Sequence, residues 1–184
     1  QNVGFGKQFK FFTLWSFLAN FLVFSILFLS MIGVRIKIPD PLVAISTLMG
    51  IFTIILYWGL FFIDPNLVNY TAQWLNLFRE YYLHLIGPLL LVVEGFLFTR
   101  AFKNFFNITL CAAVINFGYF SWIELVVARF NEFPKGTITN GLPYPFMNDM
   151  GISERLIFSA SCFIFGIFFI WLFTTIQKTL PVVR

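Results

Sequence analysis

The fold of this chain is decided by an uncharged stretch from Leu42 to Ile63, LVAISTLMGIFTIILYWGLFFI. As an α-helix these residues extend over about 33 Å, because each residue adds 1.5 Å along the axis. The hydrocarbon core of a bilayer is about 30 Å thick. The stretch is therefore long enough and apolar enough to cross a membrane, and it predicts a transmembrane helix.

Four further segments have the same character, and the composition agrees with them. Hydrophobic residues make up 59% of the chain and charged residues only 11%, against about 25% charged residues in ordinary globular domains. A water-soluble surface cannot be built from this composition. We predict an all-α polytopic membrane bundle with five visible spans, at about residues 11–32, 42–63, 81–99, 105–128 and 156–176.

The chain is predicted to form one transmembrane domain over residues 1–184, since neither an internal repeat nor a low-complexity linker is visible. Residues 66–80 alternate apolar with polar side chains, which predicts an amphipathic helix lying in the membrane interface. The chain begins at Gln1 and not at Met. We therefore expect the full protein to be longer and to contain six spans.

The charged and metal-binding residues exclude several function classes. The 12 basic residues are scattered singly between apolar runs, which is typical of interfacial anchors and not of nucleic-acid binding. They divide evenly between the two sides, so they do not orient the bundle. One histidine and two separated cysteines, Cys111 and Cys162, provide no metal ligand set. We expect no cofactor, and a membrane lipid as the main partner.

Polar residues inside the spans are candidates for function, because a central charge costs roughly 2.5–3.5 kcal/mol on insertion scales. The candidates are Asn20, His84, Glu94, Asn116 and Glu124. Glu124 lies near Arg129, and an interfacial ion pair between these two side chains is one interpretation.

Thr13 and His84 are predicted to lie at similar depth on one side of the membrane. Consecutive spans alternate in direction, and Thr13 lies two residues and His84 three residues into its span, so both fall within roughly 5 Å of the same boundary. Glu94 follows His84 by ten residues. It therefore lies about 15 Å deeper, and its side chain is turned about 80° away.

Two segments resemble a known family at these positions. Residues 6–14, GKQFKFFTL, and residues 84–88, HLIGP, with Glu94 ten residues after His84, resemble the androgen-induced-gene-1 and androgen-dependent TFPI-regulating proteins. These are multi-span membrane hydrolases of fatty acid esters of hydroxy fatty acids. The resemblance implies that Thr13 is a nucleophile and that His84 is its general base.

Later segments extend the resemblance and also depart from it. Tyr119 with Trp122 resembles the family's fourth span, and YPF at residues 144–146 resembles the loop that follows. The family usually has histidines late in the fourth span, where this chain has none. We expect Asn20, Glu94, Trp122 and Tyr144 to bind substrate or to line a cavity.

The resulting hypothesis is an intramembrane lipid-ester hydrolase in the endoplasmic reticulum or another endomembrane. A neutral imidazole that accepts the threonine proton makes the hydroxyl nucleophilic. The main alternative is a non-enzymatic subunit that keeps the fold and binds a lipid or a membrane-protein partner. A transporter ranks third, since ionisable groups are scarce and repeats are absent. Each of these residues also has a purely structural interpretation. In it, the Thr13 hydroxyl bonds to a backbone carbonyl, His84 bridges helices, and Glu94 is a protonated packing residue.

Overall fold

The computed structural model describes residues 4–68, 74–131 and 141–180. These residues form helices and connecting loops, with no strand among them. The α-helices are α1 (Phe12–Met31), α2 (Asp40–Ile63), α3 (Trp74–Tyr81), α4 (Gly87–Val93), α5 (Phe105–Ser121), α6 (Ala128–Phe130), α7 (Pro145–Asn148) and α8 (Ile152–Thr179). The predicted all-α class is confirmed.

Five helical stretches are long and apolar enough to cross a bilayer. They are Phe12–Met31, Asp40–Ile63, Leu77–Phe98, Phe105–Phe130 and Ile152–Thr179. Many of their large apolar side chains are exposed on the outside of the bundle, among them Phe21, Phe62, Phe106 and Ile164. In a bilayer these side chains face acyl chains, so their exposure is favourable there. The chain is therefore an integral membrane protein.

Helix α2 is the centre of the bundle. It packs against α1, α4, α5 and α8, and its residues 43–50 are all buried. Small residues let the neighbours approach closely. A Cβ atom at Gly50 would lie 3.1 Å from Cβ of Pro88, and one at Gly95 would lie 2.5 Å from Oγ1 of Thr47. The third span is thus held tightly against α2 by two glycine contacts.

The third span begins earlier than its sequence indicates. Among the described residues, helix α3 covers Trp74–Tyr81 and continues without a break into the span that the sequence predicts to begin at Tyr81. Part of the predicted interfacial segment, residues 69–73, lies outside the described residues. Arg79 and Glu80 therefore lie on the helix of the third span itself, one turn before His84.

Three π-helical turns interrupt the third and fourth spans, at Tyr82–Ile86, Glu94–Phe98 and Trp122–Val127. Each contains one of the ionisable residues of the spans: His84, Glu94 or Glu124. A π turn inserts one extra residue into a helix and is frequent at functional sites. It rotates the side chains that follow, so the direction of these groups cannot be read from α-helical spacing.

The far side of the bundle is closed by Gln177 of α8. Its amide nitrogen donates to the carbonyl of Phe96 at 2.8 Å, and its amide oxygen accepts from the N–H of Phe102 at 2.8 Å. Arg100 donates to the backbone carbonyls of Gln177 and Leu180. These bonds satisfy the polar groups of the loop between the third and fourth spans, where lipid provides no partners.

Candidate functional site

Thr13 lies in the first turn of α1 and is partly buried. Within the described residues its hydroxyl makes no hydrogen bond. In other spans Thr47, Thr53 and Thr175 each donate to the carbonyl four residues earlier, whereas the buried hydroxyls of Thr109 and Thr174 also have no hydrogen-bond partner among the described residues. A residue in the first turn has no helical carbonyl at that position. The hydroxyl of Thr13 therefore stays available to another partner.

The single histidine is buried and fixed on three sides. Nδ1 of His84 lies 3.1 Å from the backbone oxygen of Glu80 and 3.1 Å from its carboxylate Oε2. The imidazole stacks on the ring of Tyr57, with centroids 3.7 Å apart and an interplanar angle of 9°. The indole N–H of Trp58 donates to the backbone carbonyl of His84 at 3.1 Å.

This environment assigns the tautomer of His84. Both oxygens near Nδ1 are acceptors, so Nδ1 carries the proton and donates to Glu80. Nε2 is then the nitrogen with a free lone pair, and it has no hydrogen-bond partner among the described residues. The carboxylate of Glu80 also contacts Arg79, at 3.0 Å, on its other oxygen. The arrangement prepares Nε2 of His84 to accept a proton.

The register between α1 and α2 gives the depth of Thr13 relative to this histidine. With its amide in the orientation that satisfies hydrogen bonding, Asn20 of α1 donates to the carbonyl of Ser46 on α2 at 3.3 Å. The two helices are antiparallel, so Thr13, seven residues before Asn20, is level with Thr53, seven residues after Ser46. Tyr57 lies four residues further, or about 6 Å, and it stacks on His84.

Helix α1 also contacts the π turn Tyr82–Ile86 directly. Thr13 and His84 thus lie on neighbouring elements at similar depth. They are not hydrogen-bonded to each other in this structure. Catalytic hydrogen bonds are often longer before substrate binds.

The turn that precedes α1 is fixed by the fourth span. Residues Lys7–Lys10 form a 3₁₀ turn. The carbonyl of Phe9 accepts from the indole N–H groups of Trp15 and Trp122 at 2.8 and 3.1 Å, and the carbonyl of Lys10 accepts from the hydroxyl of Tyr119 at 2.7 Å. Trp122, which the sequence assigned to a cavity, instead positions the beginning of α1.

Lys10 itself is fully buried. Its Nζ donates to the carbonyl of Gly141 at 3.0 Å, and burial lowers the pKa of the amine. This bond ties the turn before α1 to the loop that follows the fourth span. Sequence reasoning counted Lys10 as an interfacial charge and did not indicate this partner.

Tyr144 lies beside the beginning of α1. Its hydroxyl interacts with that of Tyr119, and both phenols hydrogen-bond to the backbone of Phe12. Burial raises the pKa of Tyr144 to about 12, although the bonds with Phe12 and Tyr119 lower it. Tyr144 is therefore a neutral hydrogen-bond donor at physiological pH, and its backbone partner Phe12 directly precedes Thr13 in the chain.

A cavity of about 110 Å³ lies between α2, α5 and α8. Its lining includes Phe12, Tyr119, Tyr144 and Arg155 at the end nearest α1, and apolar side chains elsewhere. Of the six residues assigned from the sequence, the cavity wall contains only Tyr144. Thr13, Asn20, His84, Glu94 and Trp122 are not part of this wall.

Asn20 and Glu94 lie apart from the cavity. Asn20 is buried between α1 and α2, where its amide also donates to the carbonyl of Ser16 at 3.2 Å. Glu94 accepts a hydrogen bond of 2.7 Å from the hydroxyl of Thr99, towards the opposite end of the third span. Their positions favour packing roles within the bundle.

Glu124 pairs with a residue of α8 and not with Arg129. Its carboxylate receives two hydrogen bonds from the guanidinium of Arg155, at 2.6 and 2.8 Å. Both side chains are nearly buried, and Arg155 also donates to the carbonyl of Met150. The interpretation of an interfacial pair with Arg129 was wrong, because the π turn at Trp122–Val127 and the packing of α5 on α8 direct Glu124 inward.

Among the described residues, no three His, Cys, Asp or Glu side chains come together as a metal site. The chemistry available to the site is therefore that of a hydroxyl, an imidazole supported by a carboxylate, and a neutral phenol. This set fits acyl transfer better than redox or metal-dependent chemistry.

Comparison with protein families gives a match over almost the whole chain. The family described as FAR-17a/AIG1-like protein matches residues 1–178. The chain belongs to the FAR-17a/AIG1-like family. Membership in the FAR-17a/AIG1-like family confirms the resemblance that the segments around Thr13 and His84 indicated. No curated protein and no solved structure matches the chain.

Several site residues of this family member were not indicated by the sequence reasoning. The sequence spacing does indicate Glu80 as a partner of His84, since it lies four residues earlier and therefore on the same helical face. It was missed because the segment containing it was assigned to the interface. Tyr57 contacts His84 and Arg155 contacts Glu124 across different spans. No local sequence pattern predicts contacts between residues so far apart in the chain.

Proposed function

We propose that this protein is an intramembrane hydrolase of lipid esters in the endoplasmic reticulum or another endomembrane, with Thr13 as nucleophile and His84 as general base. The observation that carries the proposal is the imidazole of His84, with Nδ1 donating to Glu80 and Nε2 without a partner, on an element that contacts α1. An imidazole held in this tautomer is suited to remove a hydroxyl proton.

The reaction proceeds in two acyl-transfer steps. The hydroxyl oxygen of Thr13 attacks the ester carbonyl carbon while its proton passes to Nε2 of His84. The intermediate collapses, the ester C–O bond breaks, and the leaving alcohol takes the proton from Nε2. Water then attacks the acyl-threonine, His84 accepts a proton from it, and the fatty acid leaves as Thr13 regains its proton.

Each supporting group has a defined contribution in this scheme. The carboxylate of Glu80 stabilises the imidazolium that forms during each step. Tyr144 is neutral, since its pKa is about 12, and its phenol can donate a hydrogen bond to the developing oxyanion. The family resemblance favours fatty acid esters of hydroxy fatty acids as the substrates.

The decisive experiment uses purified protein in nanodiscs with lipid esters of this class. Thr13→Ala and His84→Ala should each lower kcat by about 10²- to 10⁴-fold, the usual contribution of general acid–base catalysis, while Thr13→Ser keeps measurable activity. A fluorophosphonate probe should label the wild type and fail to label Thr13→Ala. Thr175→Ala, at an exposed threonine of α8, is the matched control and should behave as wild type. Full activity in both alanine variants would exclude the proposal.

One observation favours a second candidate, a lipid-binding member without enzymatic activity. Thr13 and His84 are not hydrogen-bonded to each other, and neither side chain lines the cavity between α2, α5 and α8. A protein of this kind would bind a lipid or a membrane-protein partner through the cavity and hydrolyse nothing. Stoichiometric lipid binding with no probe labelling and no turnover would establish this alternative.

A further inference from the structure

The cavity between α2, α5 and α8 has the shape of a narrow channel along the membrane normal. On α2 its lining runs from Ile45 to Leu56, on α5 and the π turn that follows it from Ala112 to Ile123, and on α8 from Arg155 to Gly166. Each helix therefore lines it over eleven residue steps, which corresponds to about 16 Å. The three helices thus give the same length for the channel.

The length of the channel corresponds to one leaflet of a bilayer. The hydrocarbon core is about 30 Å thick, so one leaflet contains acyl chains about 15 Å deep. The channel begins at the level of Phe12, in the first turn of α1, and ends near the middle of the membrane. The acyl chains of ordinary membrane lipids fill one leaflet in a conformation that is not fully extended, and a chain in that conformation fits this span.

The wall has its charged and phenolic groups at one end only. Tyr144 and Arg155 lie at the end near α1, and the remaining wall is mainly aliphatic and phenylalanine side chains. The polar pair at intermediate depth is internally satisfied, because Asn116 donates to the hydroxyl of Ser159 at 3.0 Å. The channel therefore suits a ligand with one polar end and a long apolar tail.

The polar end of the channel adjoins the proposed nucleophile. Phe12 lines the channel and also bonds through its backbone to Tyr119 and Tyr144. Thr13 follows Phe12 directly in the chain. A carbonyl group held at the level of Thr13 would thus have the opening of the channel beside it, with the tail pointing toward the middle of the membrane.

We propose that this channel binds the acyl chain of the substrate ester and that Gly166 at its deep end sets the longest chain that fits. The proposal rests on the hydrolase function and specifies its substrate as an ester of one unbranched long acyl chain. Gly166 is buried, and a Cβ atom there would already lie 3.6 Å from the ring of Phe52. A larger side chain at this position fills the end of the channel.

The first test compares esters of increasing acyl length. In Gly166→Leu the ratio of kcat/KM for long over short chains should fall by at least about tenfold, since a single surplus methylene in an apolar pocket is worth 10- to 200-fold. Ala112→Leu, at the deep end of the channel on α5, should shift the preference in the same direction. An unchanged ratio in both folded variants would overturn the proposal.

A matched glycine controls for the effect of leucine itself. Gly118 lies on α5, is exposed, and has open space around its Cβ position. Gly118→Leu should keep the wild-type chain-length profile. A shift of the same size in Gly118→Leu would contradict a specific role of Gly166.

The second test needs no turnover, so it separates the channel from the hydrolase proposal. Thr13→Ala protein is photo-crosslinked with palmitic acid analogues that bear a diazirine at either end of the chain. The label at the methyl end should map to the region of Gly166 and Ala112, and the label near the carboxyl group to Phe12 or Tyr144. Crosslinks only on the outer, lipid-facing surface would overturn the channel. Correct crosslinks with no hydrolysis by wild type would keep the channel and exclude the hydrolase.

Discussion

Nδ1 of His84 lies 3.1 Å from the carboxylate of Glu80, one helical turn earlier in the same span. The exposed fractions of the two side chains are 10% and 14%, so solvent screens their interaction only weakly. Tyr57 covers one face of the imidazole. The contact explains how a histidine inside a membrane span is held in one tautomer and one orientation.

Replacement of Glu80 should reduce the rate of the chemical step. Glu80→Leu removes the group that stabilises the imidazolium, and we expect kcat to fall by about 10- to 100-fold, less than the loss of the base itself, with KM unchanged. Glu80→Gln keeps an acceptor for Nδ1–H and should lose less. Arg79→Gln is the control, since its exposed guanidinium contacts only the outer oxygen of Glu80.

Nitrogen-15 chemical shifts give an independent measurement of the same effect. The chain has one histidine, so selective labelling yields a single imidazole spectrum. In the wild type Nδ1 should carry the proton, and in Glu80→Leu the two tautomers should mix. A spectrum that is identical in both proteins, or a loss of activity expressed only in KM, would contradict a positioning role for Glu80.

The effects on stability of replacing Glu124 and Arg155, which form a buried ion pair, should be strongly coupled. Glu124→Leu or Arg155→Met alone should destabilise the protein by about 3–5 kcal/mol, because each leaves one buried charge without its partner. The double replacement should be less damaging than either single one. Thermal unfolding in detergent measures all three variants.

An exposed pair in the same protein is the matched comparison. Lys103 and Asp40 lie 2.9 Å apart, with side chains 57% and 39% exposed. Replacing either should change stability by no more than about 1 kcal/mol. Equal effects at the buried and exposed pairs would show that Glu124 and Arg155 are not a coupled buried pair.

The contact between Gly95 and Thr47 should limit substitution in the third span. Gly95→Ala places a Cβ atom where Oγ1 of Thr47 would be 2.5 Å away, and overpacking of this kind destabilises by about 1–3 kcal/mol. Adding Thr47→Ala should restore part of the loss. Gly118→Ala, which meets nothing within 4 Å, should be tolerated. Tolerance of Gly95→Ala by itself would contradict the close approach of the two spans.

Tyr144 should make the protein sensitive to alkaline pH. Its pKa is raised from 10.0 to about 12 in the folded state, so below pH 10 the phenol is neutral in both states and its contribution to stability is complete. Between about pH 10 and 12 the unfolded chain loses this proton first, and stability falls as pH rises. Tyr144→Phe should show a shallower decline of the unfolding midpoint over this range. Identical slopes would contradict the burial of the hydroxyl.

The third span shows where local sequence reasoning is reliable and where it stops. The presence of the span follows from its apolar run, yet residues Trp74–Tyr81 before it are already helical. Arg79 and Glu80 suggest an interfacial segment because isolated charges are unfavourable in a helix that crosses lipid. In the bundle Arg79 is exposed, and Glu80 is bonded to His84 and Arg79, so the helix continues through both.

The sequence by itself determined the five spans, the all-helical class, the family and the candidate pair Thr13 and His84. Span length and hydrophobicity are local properties, so a single chain reveals them. Only the tertiary structure decided the contacts of His84 with Tyr57 and of Glu124 with Arg155, and the channel that ends at Gly166. These helices are apolar on the lipid side and on the packed side alike, so no amphipathic pattern tells which residues face one another.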